Sequence, residues 1–247
     1  MKQVFGRPKS LKHTQYHFCP GCQHGSAHRL VAEAIDELGI RAVTIGVASV
    51  GCSVFLYDYF DIDVIESPHG RAPAVATGAK RARPDRIIFT YQGDGDLAAI
   101  GMSEIIHASN RGEGITVVFV NNTTFGMTGG QMAPTTLSGQ KTTTSPYGRD
   151  ISKDGAPFKM AELLANFEGV AFSARVALNT PKNTFLAKKA ILNAFKYQVD
   201  NRGFAFVEVL AACPTNWGLS PRKANDRVTH ELISYFPLGT FKNNADF

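Results

Sequence analysis

Cysteine is scarce in this chain, with four residues in 247, at positions 19, 22, 52 and 213. So thin a set, in a chain long enough to bury its own core, argues against a disulfide framework, which small secreted domains use where a core is insufficient. Long apolar runs are also missing. None approaches the roughly 18 residues of a membrane span. The N-terminal stretch MKQVFGRPKSLKHTQYHF is basic but has no apolar segment of the signal-peptide kind. These absences set the expectation of a cytoplasmic protein with no membrane role. No internal repeat or low-complexity tract is present. The charge excess is small, 26 Lys and Arg against 21 Asp and Glu, a net +5. Basic residues are not interleaved with aromatics, so nucleic acid is not an expected partner. A 44% hydrophobic and 19% charged composition describes an ordinary globular chain.

The informative stretch is IIFTYQGDGDLAAIGMSEIIHASNRGEGITVVFVNNTTFGMTGGQ, residues 87–131. Ile87–Tyr91 has strand length and composition. The turn Gly93-Asp94-Gly95-Asp96 follows, and Ala98, Met102, Ile105 and Ile106 then recur at helical spacing. A second apolar run, Ile115–Val120, ends at Asn121-Asn122. Such a unit delivers both strand ends to one edge of a parallel sheet, where α/β proteins bind ligands.

Gly93-x-Gly95-x-x-Ala98 fits a dinucleotide fingerprint in outline. Its chemistry does not fit, because Asp94 and Asp96 would face a pyrophosphate and the second strand ends in Asn121 rather than an acid for a ribose. No G-K-[ST] follows, which excludes a Walker-type loop. Two carboxylates beside a diphosphate require a divalent cation between them. Asp94 and Asn122 are hard oxygen ligands suited to Mg²⁺.

With Asp94 and Asn122 spaced 28 positions apart, the GDG…NN pattern resembles the diphosphate motif of thiamine diphosphate enzymes. GDGD together with FGMTGGQ, HGRAPAVATG and FCPGCQHG is similar, more narrowly, to the β subunit of 2-oxoacid:ferredoxin oxidoreductases of the 2-oxoisovalerate or 2-oxoglutarate type. The resemblance runs from Tyr16 to about Phe241. It implies that Asp94, the Asn122 side chain and the Thr124 carbonyl hold Mg²⁺. It also implies that Gly51, Ser53, Gly93, Gly95, Asp96, Asn121, Gly126, Met127 and Thr128 surround the cofactor.

Cys19-Pro20-Gly21-Cys22 precedes a helix over His24–Leu38, a setting in which thiolates are favoured. A thioredoxin-like pair and a Cys₄ metal site both remain open on spacing alone. Zinc sites commonly pair two CxxC units, whereas Cys52 and Cys213 stand singly. Pro214 follows Cys213, as in bacterial-type cluster sequences. The resemblance implies that Cys19, Cys22, Cys52 and Cys213 bind a [4Fe–4S] cluster, although Gln23 stands where glycine is common in the family.

Gly51-Cys52-Ser53 ends a strand expected over Arg41–Val47, and the resemblance places Cys52 near the thiamine. The aromatic run Val54–Phe60 reads as core or subunit interface, with Phe55 lining an apolar substrate pocket as the alternative. His69 is an acid/base candidate at the entry to a helix over Ala74–Arg83. The resemblance turns His69 and Arg71 toward the thiamine, with Arg71 able to meet diphosphate or a substrate carboxylate. Residues 123–150 are too long for a simple connector, and Gly126-Met127-Thr128 at their start lets backbone amides approach an anion. Further helices are expected over Lys159–Phe167 and Pro181–Val199, the latter with Phe185, Ala190, Ile191, Ala194 and Phe195 inward. Strands are expected over Val170–Ala177 and Phe204–Val209.

The resemblance implies a parallel-sheet α/β fold of the thiamine diphosphate-binding (PP) type. It is read as one domain over 1–247, with a CxxC arm (1–23) and a C-terminal extension (214–247) that wraps a neighbouring subunit. The implied reaction is oxidative decarboxylation of a 2-oxoacid with coenzyme A to an acyl-CoA, CO₂ and reduced ferredoxin. Phe55 and Met127 favour a branched-chain acid over 2-oxoglutarate. The implied partners are an α subunit carrying the pyrimidine-binding domain, γ and δ subunits in some assemblies, and ferredoxin. The alternatives are a non-oxidative thiamine-dependent decarboxylase or synthase subunit and an iron–sulfur electron-transfer subunit.

Overall fold

In a computed structural model that describes residues 6–244, Ile87–Gly93 and Thr116–Asn121 are neighbouring parallel strands. In chain order the strands are β1 (Thr44–Ala48), β2 (Asp63–Glu66), β3 (Ile87–Gly93), β4 (Thr116–Asn121), β5 (Val170–Ala177), β6 (Phe204–Leu210) and β7 (Gly239–Asn243). They form one sheet in the order β2-β1-β3-β4-β6-β5-β7. Every pairing is parallel except that of β7, which runs antiparallel to β5. The helices are α1 (His24–Glu37), α2 (Leu56–Tyr59), α3 (Ala72–Ala82), α4 (Met102–Asn110), α5 (Ile151–Asp154), α6 (Met160–Ala165), α7 (Pro181–Val199), α8 (Pro214–Trp217), α9 (Pro221–Arg227) and α10 (Ile233–Tyr235).

Every residue of β4, β5 and β6 is buried, as expected of strands covered on both faces. Alternate residues feed two cores. Phe89, Tyr91, Val118 and Val120 pack with Val31 and Ile35 of α1 and Ile191 and Phe195 of α7. Ile88, Val117 and Phe119 pack on the other face with α3, α4 and α6. The start of α7 is fixed by Thr180, whose hydroxyl accepts the Asn183 amide at 3.1 Å, and by Pro181 in the first turn.

Two expectations are corrected. The strand expected from Arg41 begins at Thr44, because Arg41–Val43 forms a tight 3₁₀ turn. Phe185 is 58% exposed rather than inward, since α7 meets the sheet along its Ala187, Ile191 and Ala194 stripe. The helix after the GDGD turn opens with a π-type segment, Asp96–Ile100. There Gly101 sits so close to Gly70 that a Cβ on either would strike the other's backbone, and such widened turns mark functional sites. The described part of the C-terminal extension packs on its own chain through one face. Leu232 and Phe236 cover Ala177 and Leu210, and β7 caps the edge at β5. Residues 1–5 of the arm and 245–247 of the extension lie outside the described residues.

Candidate active site

The chain crosses from one side of β1 to the other between β2 and β3, so the strand order switches there. Ligands bind outside the carboxyl ends of strands at such a point. A cleft of about 90 Å³ lies there, lined from after β1 by Val50–Ser53, after β2 by His69, after β3 by Gly93–Asp96 and after β4 by Asn122 and Thr124–Thr128, with His24 below. Larger hollows exist, including one of about 840 Å³ beside Arg7, Asp36, Arg41 and Asp61. That one is lined by surface charges away from the strand carboxyl ends. The smaller cleft is the one that gathers the chemistry.

Asp94 is 1% exposed at the end of β3. Its Oδ1 accepts the Gly95 amide at 2.8 Å and its Oδ2 the Thr135 hydroxyl at 2.5 Å. Burial pushes the carboxyl up to about 7, against these donors and the Thr123 and Thr124 amides. No Lys or Arg lines the cleft to offset that charge. Thr123 has φ 59°, a left-handed conformation rare for a β-branched residue. The turn is held because the Thr123 carbonyl accepts the Thr136 hydroxyl at 2.7 Å and the Gln140 amide at 3.0 Å. It presents Asn122 and Thr124 together beside Asp94. A Cβ on Gly95 would collide with the Phe125 ring, so only glycine permits this approach.

Asp96 is 3% exposed, and its carboxylate serves the frame. It bonds His69 Nδ1, accepts the Gly70 amide at 2.6 Å and takes the Gln92 side-chain amide at 2.6 Å. His69 is thereby oriented with its second ring nitrogen left for the cleft. Arg71, expected at the thiamine, instead bonds Glu104 and the Ile100 carbonyl and does not line the cleft. Asn121 is also turned away. Strand alternation sends it inward, where it donates to Glu208 at 2.7 Å and accepts the Thr123 amide at 3.2 Å. Phe55 packs edge-on against His17, with ring centroids 3.8 Å apart, outside the cleft. The Ser53 hydroxyl bonds the Ser49 carbonyl at 3.1 Å. Val50 and Met127 are the half-exposed apolar side chains of the lining.

All four cysteines are free thiols. Cys22 feels the charge of the other three, Cys52 that of Cys213 and Cys19, and Cys213 that of Cys19, so the four converge from the CxxC turn, the β1 loop and the end of β6. Among the described residues, no three His, Cys, Asp or Glu side chains are grouped to hold a single ion. Burial pushes Cys22 up to about 12 and Cys52 to about 11, and it raises Cys213 as well. The helix-start amide of His24 lowers the Cys22 thiol, but burial outweighs it, so the thiolate-favouring setting expected from sequence is not realised by the protein alone.

The cleft thus sets a buried acid between glycines beside an Asn from the next strand end. The family described as thiamine pyrophosphate enzymes, C-terminal TPP-binding domain, matches residues 49–209. The 2-oxoglutarate synthase subunit KorB of Archaeoglobus fulgidus is 36% identical over 238 residues, covering 92% of this chain and 85% of that protein. The chain belongs to the thiamine pyrophosphate-binding subunits of the 2-oxoacid oxidoreductase family. Ketoisovalerate oxidoreductase subunit VorA of Methanothermobacter thermautotrophicus is 48% identical over 245 residues, 99% of this chain. The match takes in 51% of VorA, so the chain spans about half the length of that relative. The solved 2-oxoglutarate:ferredoxin oxidoreductase from Magnetococcus marinus, with 2-oxoglutarate, coenzyme A and succinyl-CoA bound, superimposes with a TM-score of 0.79 at 25% identity. It covers 100% of this chain and 88% of that one.

Several residues of this thiamine pyrophosphate-binding subunit escape sequence reasoning. Thr135 and Gln140 lie in the long loop after β4, whose length and composition mark it as functional or mobile without singling out either residue. Arg149 holds that loop in place, its guanidinium bonding the carbonyls of Ala133, Pro134 and Thr136 at 2.8–3.1 Å and that of Gly155 at 3.0 Å. Gln23 joins the arm to the end of β6, accepting the Ala212 amide at 2.8 Å and donating to the Leu178 carbonyl at 3.1 Å. Its place beside Cys22 was the only available signal.

Proposed function

We propose that this chain is the β subunit of a 2-oxoacid:ferredoxin oxidoreductase, converting a 2-oxoacid and coenzyme A to an acyl-CoA, CO₂ and reduced ferredoxin. The observation that carries the reading is the convergence of four free thiols beside a buried carboxylate that lacks a cationic partner, at one sheet edge. Asp94, the Asn122 side chain and the Thr124 carbonyl would hold Mg²⁺. A carboxyl pushed up to about 7 by burial fits a cation site, because a divalent ion reverses that penalty. The four thiols would hold a [4Fe–4S] cluster, since coordination deprotonates thiols that burial otherwise keeps neutral. Thiamine diphosphate supplies the carbon nucleophile and electron sink, and the cluster supplies the one-electron exit.

The chain's own residues bind and orient. Glycines 93, 95 and 126 give close approach for the diphosphate, and Asp96 holds His69 so that its free ring nitrogen can exchange a proton in the cleft. Val50 and Met127 offer apolar surface, and no lining cation awaits a distal carboxylate, which favours branched-chain 2-oxoacids. A cleft of about 90 Å³ is far smaller than the ~300 Å³ or more of sites that enclose a ligand of this size. No glutamate lines it to move the proton of the aminopyrimidine. Both facts support an α subunit that closes the other half.

Anaerobic protein should contain iron and sulfide, and with its α partner it should reduce ferredoxin in a 2-oxoacid- and coenzyme A-dependent manner. Full turnover by this chain alone would refute the split site. A higher kcat/KM for 2-oxoglutarate than for 2-oxoisovalerate would overturn the substrate preference.

A further inference from the structure

We infer that Asn216 is a positioning residue that sets the reduction potential of the cluster and fastens it to the cofactor cleft, through one amide shared by Cys213 and Gly126. The inference rests on reading the four thiols as cluster ligands. Cys213 caps α8, and one helical turn brings the Asn216 side chain back over it. The amide Nδ2 stands 3.3 Å from Cys213 Sγ and 2.7 Å from the Gly126 carbonyl oxygen. A carbonyl only accepts, so the nitrogen must face it, and the two hydrogens of the NH₂ group serve the two acceptors separately.

The turn that carries Asn216 has little freedom to move. Trp217, its neighbour, donates from Nε1 to the Asn122 carbonyl at 3.2 Å, and the Arg227 guanidinium lies 4.5 Å from the centre of the indole. Gly130 packs against Asn216, where a Cβ would stand 3.2 Å from the Asn216 Cβ. Gly126 in turn lies beside the third thiol, a Cβ there being 3.5 Å from Cys52 Sγ. One side chain therefore touches a cluster sulfur on one side and a cofactor-facing loop on the other.

The consequence is electrostatic. An electron entering the cluster places added negative charge on its sulfurs, and a donor aimed at one of them stabilises the reduced state more than the oxidised one. Hydrogen bonds to sulfur are among the factors that set cluster potentials. Removing this donor should therefore make the potential more negative.

The test is a potentiometric titration, followed by electron paramagnetic resonance, of the anaerobically purified full chain and its Asn216→Leu, Asn216→Asp and Trp217→Phe variants. Asn216→Asp is nearly isosteric and, once ionised, has no hydrogen to donate. It is titrated at a pH well above the ordinary carboxylate range, with Asn216→Leu as the uncharged variant that lacks the donor. Iron and sulfide are measured in every sample. The expected result is wild-type iron and sulfide in the two Asn216 variants, with a reduced-to-oxidised ratio lowered about tenfold at fixed poise, equivalent to about 59 mV for a one-electron couple. Trp217→Phe, which disturbs the same turn but spares the amide, should titrate with the wild type.

Assembled clusters at wild-type potential in both Asn216 variants would overturn the inference. An equal shift in Trp217→Phe would also overturn it, by assigning the effect to packing of the turn. Folded Asn216 variants that both lack iron would show that the residue builds the cluster rather than tuning it. Absence of iron and sulfide from the wild-type chain would instead remove the cluster reading on which the inference stands.

Discussion

Thr135→Val tests the cation site from a position that sequence did not expose. Thr135 is fully buried, and its hydroxyl donates to Asp94 Oδ2 at 2.5 Å. A bond of that length to a charged acceptor is of the charge-assisted kind. Such bonds are worth about 1.5–3 kcal/mol, or roughly 10- to 150-fold in a dissociation constant. The bond favours the ionised carboxylate, opposing the burial that pushes Asp94 up to about 7. Without it the carboxyl titrates higher still. At pH 6 the acid must then lose a proton before Mg²⁺ and thiamine diphosphate bind, and the full loss appears. Only well above the variant's raised value is the carboxylate ionised in both free proteins, so the deficit narrows steadily as the pH rises beyond 8. Isothermal titration of the assembled protein with Mg²⁺ and thiamine diphosphate at the two pH values measures it, with Thr135→Ser as the variant that keeps the hydroxyl. Binding by Thr135→Val within twofold of wild type at pH 6 would refute the reasoning. So would an equal loss in Thr135→Ser, which would assign the effect to the missing methyl.

Three further outcomes are expected. Asp94→Ala should lose thiamine diphosphate binding and Asn122→Ala should weaken it, whereas Asp58→Ala should not; unchanged occupancy in equilibrium dialysis of Asp94→Ala would reduce the GDGD turn to a plain turn. Arg149→Met should loosen the loop over 133–156 by taking the guanidinium from the buried Thr136 carbonyl, at about 1–3 kcal/mol, and by leaving the Ala133 and Pro134 carbonyls with only the Thr136 and Phe158 amides, and it should appear as fast hydrogen exchange confined to that loop. His28 is fully buried with its Nε2 unpartnered, and burial pushes it down to about 3. The unfolded chain therefore binds the extra proton between about pH 3 and 6.5, so stability is full above 6.5 and falls as pH drops. A His28→Phe variant should lose about 2 kcal/mol less than wild type between pH 7 and 5 in urea unfolding, from ~1.36 kcal/mol per unit below 6.5, and equal losses would contradict the assignment.

Residues 87–122 were legible because everything they express is local. Strand length, the glycine turn and the spacing from Asp94 to Asn122 are properties of adjacent residues, and hydrophobic alternation with turn chemistry determines them before any tertiary contact forms. The cysteines were legible as a set, but their meeting was not. That needs the β1 loop, the arm and the end of β6 brought to one edge, which is a consequence of sheet order. Side-chain assignments failed where a distant partner competed. Arg71 was drawn from the cleft by Glu104, 33 positions on, and Asn121 was drawn inward by Glu208, 87 positions on. The loop after β4 showed its function in its length and its Gly126-Met127-Thr128 start but not its conformation, because that resides in long-range bonds, from Thr135 to Asp94 across 41 positions and from Asn216 to Gly126 across 90. Sequence by itself determined the elements and the ligand class, since those depend on residue type and short spacing. Only the tertiary structure decided which polar groups face the cleft and which brace it, because a buried donor or acceptor must be paired with whatever the fold sets beside it.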